Sequence, residues 1–244
     1  MPRVIATIEA RMSATRLPGK VLLPILGEAV LARLIERVRR ASLVDDVVIA
    51  TTVNPADIPV VELAHQLKTS VFRGSEEDVM GRVLGAAQAH NADIIVELTG
   101  DNPLIDPATI DRMVATYLEG GTDYVANVLE RSYPLGMDTQ VFSTATLQDA
   151  AGRTDDPLHR EHVSLFIYRN PQLYRLTNLV APKACHWPEL RLTLDTRADY
   201  EMISRCYESL YPQDAGFDLP QIIAFFRQNP ELAEHNAAVA HKWV

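Results

Sequence analysis

The sequence predicts an α/β protein with a mostly parallel, Rossmann-like sheet and helices on both faces. Two observations predict it. Short β-rich runs alternate with amphipathic helical runs through residues 4–126, the βαβ order that yields parallel strands. Turn and helix-start signals punctuate that alternation. The chain has 244 residues, 47% of them hydrophobic and 23% charged. That is enough for one domain with a sizeable core, which needs no disulfide or structural metal.

The elements follow in order. Residues 4–8 form a short apolar strand. Leu31, Leu34, Ile35 and Val38 then recur at helical spacing, with Arg33, Glu36, Arg37 and Arg40 between them, an amphipathic helix. Residues 47–50 read as a buried strand, followed by a turn at Asn54-Pro55. Residues 58–67 read as a helix and 70–72 as a brief strand. Ser75 with Asp78 resembles a capping box, opening a helix that runs to about His90. Residues 94–98 are another strand. Asp106 suits an N-cap and Pro107 the first helical position. That helix ends near Gly120-Gly121, and 124–126 form a further strand.

Between Glu130 and Lys183 the pattern changes to an extended run (137–142), two helices (144–151 and 160–168) and a strand (174–179). This segment, 130–183, is expected to be an inserted lobe within a single domain spanning 1–244. Leu190, Leu192 and Leu194 alternate with Arg191 and Thr193, which predicts a returning strand ending at Asp195. Helices are expected over 198–207 and 219–227. Thr196 with Asp199 fits a second capping box and gives Asp199 a structural role.

The net charge of −9 argues against a general nucleic-acid binder, whose affinity rests on many Lys/Arg–phosphate contacts. No apolar run approaches a membrane span, and the short N-terminal run lacks the shape of a signal peptide. A cytoplasmic protein is expected. Cys185 and Cys206 show no C-x-x-C spacing, so neither a zinc site nor a disulfide framework is expected.

Ligands of open α/β sheets bind beyond the carboxyl ends of the strands. The loop after the first strand carries Arg11, Arg16 and Lys20 and is bent by Pro18 and Gly19. Turned amides and fixed cations make an anion nest, and a nucleoside triphosphate is the leading ligand. It is not a Walker A motif, because the spacing fails and no Ser/Thr follows Lys20. The alternative is a surface loop whose arginines pair with acids elsewhere. Asp101 and Asp195 each follow a predicted strand, and two carboxylates at one sheet edge suit a divalent cation. Alternatively, Asp101 is a turn residue and Asp195 ends a strand or caps a helix. Arg160-Glu161-His162 reads as a helix-start cluster at a subunit contact rather than an acid–base pair. The acceptor's pocket is expected to draw on 133–142, including Tyr133. Asp138 is there either a polar contact or a turn residue.

Arg11-Met-Ser-Ala-Thr-Arg-Leu-Pro-Gly-Lys20 closely resembles the N-terminal motif of the CMP-sugar synthetases, the cytidylyltransferases that activate 3-deoxy-manno-octulosonate and N-acylneuraminate. The strongest likeness is to the branch named for the spore coat polysaccharide biosynthesis protein F. Later segments agree in order: Phe72-Arg-Gly-Ser-Glu-Glu-Asp-Val79, Leu98-Thr-Gly-Asp-Asn-Pro-Leu-Ile105, Pro134-Leu-Gly-Met-Asp-Thr-Gln-Val-Phe142 and Leu194-Asp-Thr-Arg-Ala-Asp-Tyr200. The resemblance implies a nucleotide-diphospho-sugar transferase (GT-A-like) fold with a dimerisation lobe. It implies Mg²⁺-dependent transfer of CMP from CTP to an acidic sugar or other anionic acceptor, with pyrophosphate released. It assigns the triphosphate to Ala10, Arg11, Arg16 and Lys20, and the metal to Asp101 and Asp195. Arg11, Lys20, Asp101 and Asp195 are thereby the catalytic set, and Arg73 and Ser75 lie near the nucleotide. It further implies a homodimer through 130–183. Two positions depart from the family: Ala14 stands where Ser is usual, with Ser13 one residue earlier, and Glu9 replaces a common Gln or Pro. A metal-dependent glycosyltransferase and a catalytically silent nucleotide binder remain the competing classes.

Overall fold

The computed structural model describes residues 1–239. Its strands are β1 (Val4–Glu9), β2 (Pro24–Ile25), β3 (Glu28–Ala29), β4 (Asp46–Thr52), β5 (Ser70–Gly74), β6 (Ile94–Thr99), β7 (Tyr124–Ala126), β8 (Gln140–Ser143) and β9 (Leu176–Asn178). Its α-helices are α1 (Val30–Val38), α2 (Ile58–Gln66), α3 (Val79–Ala89), α4 (Pro107–Leu118), α5 (Thr144–Ala151), α6 (Pro157–Glu161), α7 (Leu165–Arg169), α8 (Arg197–Leu210), α9 (Leu219–Gln228) and α10 (Pro230–Glu234).

Seven strands form one sheet in the order β5-β4-β1-β6-β8-β7-β9. Only β8 runs against the others. The chain goes from β1 outward to β4 and β5, then returns to place β6 on the other side of β1. The strand order therefore reverses between β1 and β6, where open α/β sheets hold their ligands. Segment 130–183 contributes β8 and β9 to this same sheet, with β8 lying between β6 and β7.

Period-two alternation builds a core on each face. Val4, Ala6 and Ile8 with Ile94, Val96 and Leu98 pack under α1, α4, α8 and α9. Ile5 and Ile95 face the opposite core, under α3, α5 and α7. On that second face the two rows turn polar toward the carboxyl ends. Ile5 is followed by Thr7 and Glu9, and Ile95 by Glu97 and Thr99.

Most local signals hold. Asp106 caps α4 through the Thr109 amide at 2.9 Å, and Thr196 and Asp199 form the reciprocal box at the start of α8. Five expectations are corrected. Asp78, not Ser75, caps α3: Asp78 Oδ1 accepts from the Gly81 amide, while Ser75 Oγ accepts from the Asp78 amide one turn earlier. The helix over 160–168 is broken in two, because His162 leaves helical geometry at φ −113°, ψ 86°. The strand over 174–179 shortens to β9, and the extended run over 137–142 becomes β8.

The last correction concerns 190–195, which is extended but is no strand of the sheet. Among the described residues its only bridge joins Arg191 to Leu135. Leu192 N–H donates to the Leu135 carbonyl at 2.7 Å, and Leu194 N–H donates to the Asp101 carbonyl at 2.8 Å. Loops thus take the bonds a neighbouring strand would have taken. Gly136 makes this approach feasible. It sits at φ +99°, and a Cβ there would fall 2.7 Å from the Leu192 carbonyl carbon.

Candidate active site

β1 delivers the chain into the basic loop, which is pinned at both ends. The Met12 amide donates to Asp57 Oδ1 at 2.6 Å. The Gly19 amide donates to the Met12 carbonyl at 2.9 Å. Gly19 lies at φ 71°, a left-handed conformation suited to glycine. The turn that follows swings Lys20 inward. Its ammonium donates to Asp101 Oδ2 at 2.8 Å, to Asp195 Oδ1 at 2.9 Å and to the Leu194 carbonyl at 2.7 Å. All three ammonium protons are engaged.

The two aspartates therefore meet, as expected, although they come from very different positions in the chain. Asp101 follows β6, and Thr99 Oγ1 holds its other oxygen at 2.6 Å. Asp195 ends the extended 190–195 segment and also receives Arg16 Nη2 at 2.7 Å and Arg191 Nη2 at 2.6 Å. Burial opposes ionisation of Asp195, but Lys20, Arg16 and Arg191 outweigh it and hold the carboxyl below its usual range. Burial likewise opposes charge on Lys20, and Asp101 and Asp195 outweigh it, so its pKa is raised.

Arg16, Lys20, Asp101 and Asp195 line a cavity of about 350 Å³ together with Ala10, Arg11 and Ala14. Ala14, which carries no hydroxyl, is part of that lining. The neighbouring Ser13 hydroxyl does not replace the usual serine, because it donates to Glu76 Oε1 at 2.7 Å. Arg11 also pairs with Glu76, at 3.5 Å. The loop arginines thus do pair with acids, yet both line the cavity.

Arg73 and Ser75 do not line it, contrary to expectation. Arg73 is spent on the Thr52 and Asn54 carbonyls at 2.9 and 3.1 Å, tying down the turn after β4. The Ser75 hydroxyl serves the start of α3. From the segment that follows β5, the cation that lines the cavity is Arg82, one turn into α3. Its buried guanidinium donates to the Ala50 carbonyl at 3.2 Å and to the Ser75 carbonyl. No local spacing announced it.

A second cavity of about 570 Å³ adjoins the first, and the two share Glu9, Thr99, Glu161 and His162 as a common wall. Asp138 lines it, as expected of an acceptor residue, and is clasped by Arg131 Nη1 and Nη2 at 3.1 and 3.3 Å. Tyr133 does not line it. Its ring is buried in the core on the opposite sheet face, and its hydroxyl accepts from Arg112 Nη1 at 2.9 Å. His162 reaches the wall because the helix breaks there. Burial pushes its pKa down, against Glu161, leaving a neutral imidazole near pH 7.

Glu97 was missed as well. An acid inside the apolar 94–98 run was the available signal. Burial raises it to about 7. Glu9 is raised well above the ordinary range by burial and then by Glu97 and Asp101, against Arg82 and Arg11. Glu9, Glu97, Asp138 and Glu161 line this cavity together with Arg131, and Asp138 is paired with that arginine.

The raised Glu97 has a consequence for stability. The folded chain holds this proton more tightly than the unfolded chain. Its contribution is therefore fully present below about pH 4.5, and it is lost as pH rises through about 7. Between pH 5 and 8 this group should lower Tm by a few degrees. Thermal melts of Glu97→Gln should show a gain over the parent at pH 8 and little at pH 5. A difference independent of pH would refute this account.

The donor chemistry fits a divalent cation. Asp101 and Asp195 converge on one positive group, the Lys20 ammonium, beside a cavity lined with cations. Among the described residues no three His, Cys, Asp or Glu side chains are placed to hold a metal ion together. The protein would therefore offer two carboxylates and leave other positions to phosphate oxygens and water, the pattern magnesium favours.

A sheet that reverses order beside a cation-lined cavity, with two converging carboxylates, has the form of a nucleotidyltransferase of the nucleotide-diphospho-sugar transferase type. A sequence profile of the cytidylyltransferase family matches residues 5–229. The chain belongs to that family. It is 36% identical to the spore coat polysaccharide biosynthesis protein SpsF of Bacillus subtilis, over 98% of this chain and 100% of that one. It is 30% identical to the 3-deoxy-manno-octulosonate cytidylyltransferase of Solibacter usitatus, over 88% and 99% of the two chains. A cytidylyltransferase structure from Leptospira borgpetersenii superposes with a TM-score of 0.92 at 32% identity, over 99% of this chain and 100% of that one. Among the described residues no helix is long and apolar enough to cross a membrane.

Proposed function

We propose that this protein transfers CMP from CTP to a hydroxyl of a sugar acceptor, with Mg²⁺, in surface polysaccharide or glycoconjugate synthesis. One observation carries the reading: two adjoining cavities share a wall, and only the first is lined by Lys20, Arg16, Asp101 and Asp195. A triphosphate suits the first and an acceptor the second. The names of the SpsF and 3-deoxy-manno-octulosonate relatives support a sugar.

Arg11, Arg16 and Lys20 would orient the triphosphate and stabilise the departing pyrophosphate. The acceptor oxygen forms a bond to the α-phosphorus as the bond from that phosphorus to the bridging oxygen of the β-phosphate breaks. His162, neutral and on the shared wall, is the group suited to take the hydroxyl proton. Asp101 and Asp195 would hold the Mg²⁺, which when bound supplies charge compensation on the phosphate oxygens. Segment 130–183 is read as the homodimer contact, supported by exposed Leu158, Leu173 and Val180.

Pyrophosphate release from CTP, Mg²⁺ and a panel of sugars is the test. The expected result is acceptor-dependent release with CTP exceeding that with other nucleotides. Release of a nucleotide from a nucleotide sugar would identify a glycosyltransferase instead. Neither reaction would identify a silent binder.

A further inference from the structure

The two aspartates that would hold the divalent cation already hold a cation of the chain itself. One oxygen of each is committed to its neighbours. Thr99 Oγ1 donates to Asp101 Oδ1 at 2.6 Å, and Arg16 and Arg191 reach Asp195 Oδ2 at 2.7 and 2.6 Å. The other two oxygens, Asp101 Oδ2 and Asp195 Oδ1, converge on the Lys20 ammonium at 2.8 and 2.9 Å. The Leu194 carbonyl adds a third oxygen at 2.7 Å. Two anionic oxygens and a carbonyl aimed at one point form a cation site, and Lys20, 9% exposed, fills it.

From this place Lys20 cannot also serve a triphosphate. Its three protons are all engaged, so none is left for a phosphate oxygen. A divalent cation shared by the two carboxylates needs the oxygens that Lys20 spans. It would also meet Arg16 and Arg191 beside Asp195, and like charges at that range repel strongly in a half-buried site. A triphosphate in the first cavity changes both conditions. It brings negative charge, and it offers Lys20 new acceptors. Lys20 lines that cavity, and the flexible stem of a lysine lets its ammonium turn from one set of oxygens to another without moving the backbone.

We propose that Lys20 is the resident counterion of Asp101 and Asp195, and that it exchanges those carboxylates for the triphosphate when a divalent cation takes its place. Metal and nucleotide then bind with positive coupling, because each stabilises the Lys20 position that the other requires. Without nucleotide, Lys20 and the metal compete for the same two oxygens, and metal affinity is low. The inference rests on reading Asp101 and Asp195 as the metal ligands, and its test separates the two.

Mn²⁺ binding to the full chain, measured by electron paramagnetic resonance without nucleotide, is the test. Lys20→Met should bind Mn²⁺ at least about ten-fold more tightly than the parent. Lys20→Gln, uncharged but polar, should show the same gain and guards against a fold disturbed by the methionine. Arg16→Met removes one positive charge from Asp195 but leaves Lys20 in place, and should gain less than about three-fold. Adding Asp101→Ala to Lys20→Met should abolish the gain. Equal affinity in the parent and both Lys20 variants, still lost on Asp101→Ala, would overturn the inference and leave the metal assignment standing. An equal gain in Arg16→Met would make the effect one of net charge and overturn the inference as well. A gain that survives Asp101→Ala, or no Mn²⁺ binding in any variant, would overturn the metal assignment and the inference with it.

Discussion

Replacing Asp101 with alanine should lower kcat for pyrophosphate release on the order of 10³-fold or more, a loss of about 4 kcal/mol of transition-state stabilisation. The argument starts from how firmly this carboxylate is aimed. Thr99 Oγ1 holds one oxygen at 2.6 Å, and Lys20 holds the other at 2.8 Å. Asn102 Nδ2 in turn fixes Thr99 Oγ1 at 2.9 Å. A pre-aimed oxygen at a site of charge development is worth most in the transition state. The fold should survive the change, since Lys20 keeps Asp195 and the Leu194 carbonyl. Thermal melts close to those of the parent, with a collapsed kcat, would be the signature. Asp101→Asn separates charge from shape: it keeps the Thr99 contact but removes the anion, and should lose nearly as much. A nearly full turnover rate in either variant would remove Asp101 from the catalytic set.

What was legible in the chain follows from how local each signal is. The caps at Asp106 and Thr196 are written in three or four consecutive residues, and they fold as read. The Arg11–Lys20 loop is a local motif too, and its cations reach one cavity. The alternation of Leu190, Leu192 and Leu194 was read correctly as extended chain. Which partner takes its hydrogen bonds depends on Gly136 and Asp101, residues far away in sequence. The insertion of β8 between β6 and β7 is likewise invisible to periodicity, because sheet order is a tertiary choice. Tyr133 was drawn into the site by sequence proximity to Asp138. In the fold, their side chains lie on opposite sides of the sheet. Arg82 and Glu97 were missed for a shared reason. Each is a charged residue within an otherwise ordinary helix or strand, and its meaning appears only when the fold brings it close to Glu9.

Replacing Asp199 with alanine should cost stability on the order of 3–5 kcal/mol, although Asp199 touches neither cavity. The residue is fully buried. Its Oδ2 accepts from the Asp195 amide at 3.0 Å, the Thr196 amide at 2.7 Å and Thr196 Oγ1 at 2.9 Å. Its Oδ1 accepts from Arg191 Nε at 2.9 Å and Asn236 Nδ2 at 2.7 Å. One carboxylate thus caps α8, neutralises a buried guanidinium and anchors the chain beyond α10. Truncation strands several of those donors and leaves Arg191 with less compensation, and a buried ion that loses a partner is more costly than a lost surface pair. At about 2–4 °C per kcal/mol for a chain of this size, Tm should fall by roughly 6–20 °C. The same change should reach the chemistry indirectly. Arg191 clasps both Asp199 and Asp195, and Asp199 holds the Asp195 amide, so Asp195 loses two constraints on its direction. At a temperature where the variant remains folded, kcat should therefore fall and its Mg²⁺ requirement should rise, because the second carboxylate is less well aimed. Asp199→Asn, which keeps one acceptor oxygen, should fall between the variant and the parent on both counts. A large loss of Tm with unchanged kcat and unchanged Mg²⁺ dependence would confine Asp199 to capping and separate the buried network from the site it borders.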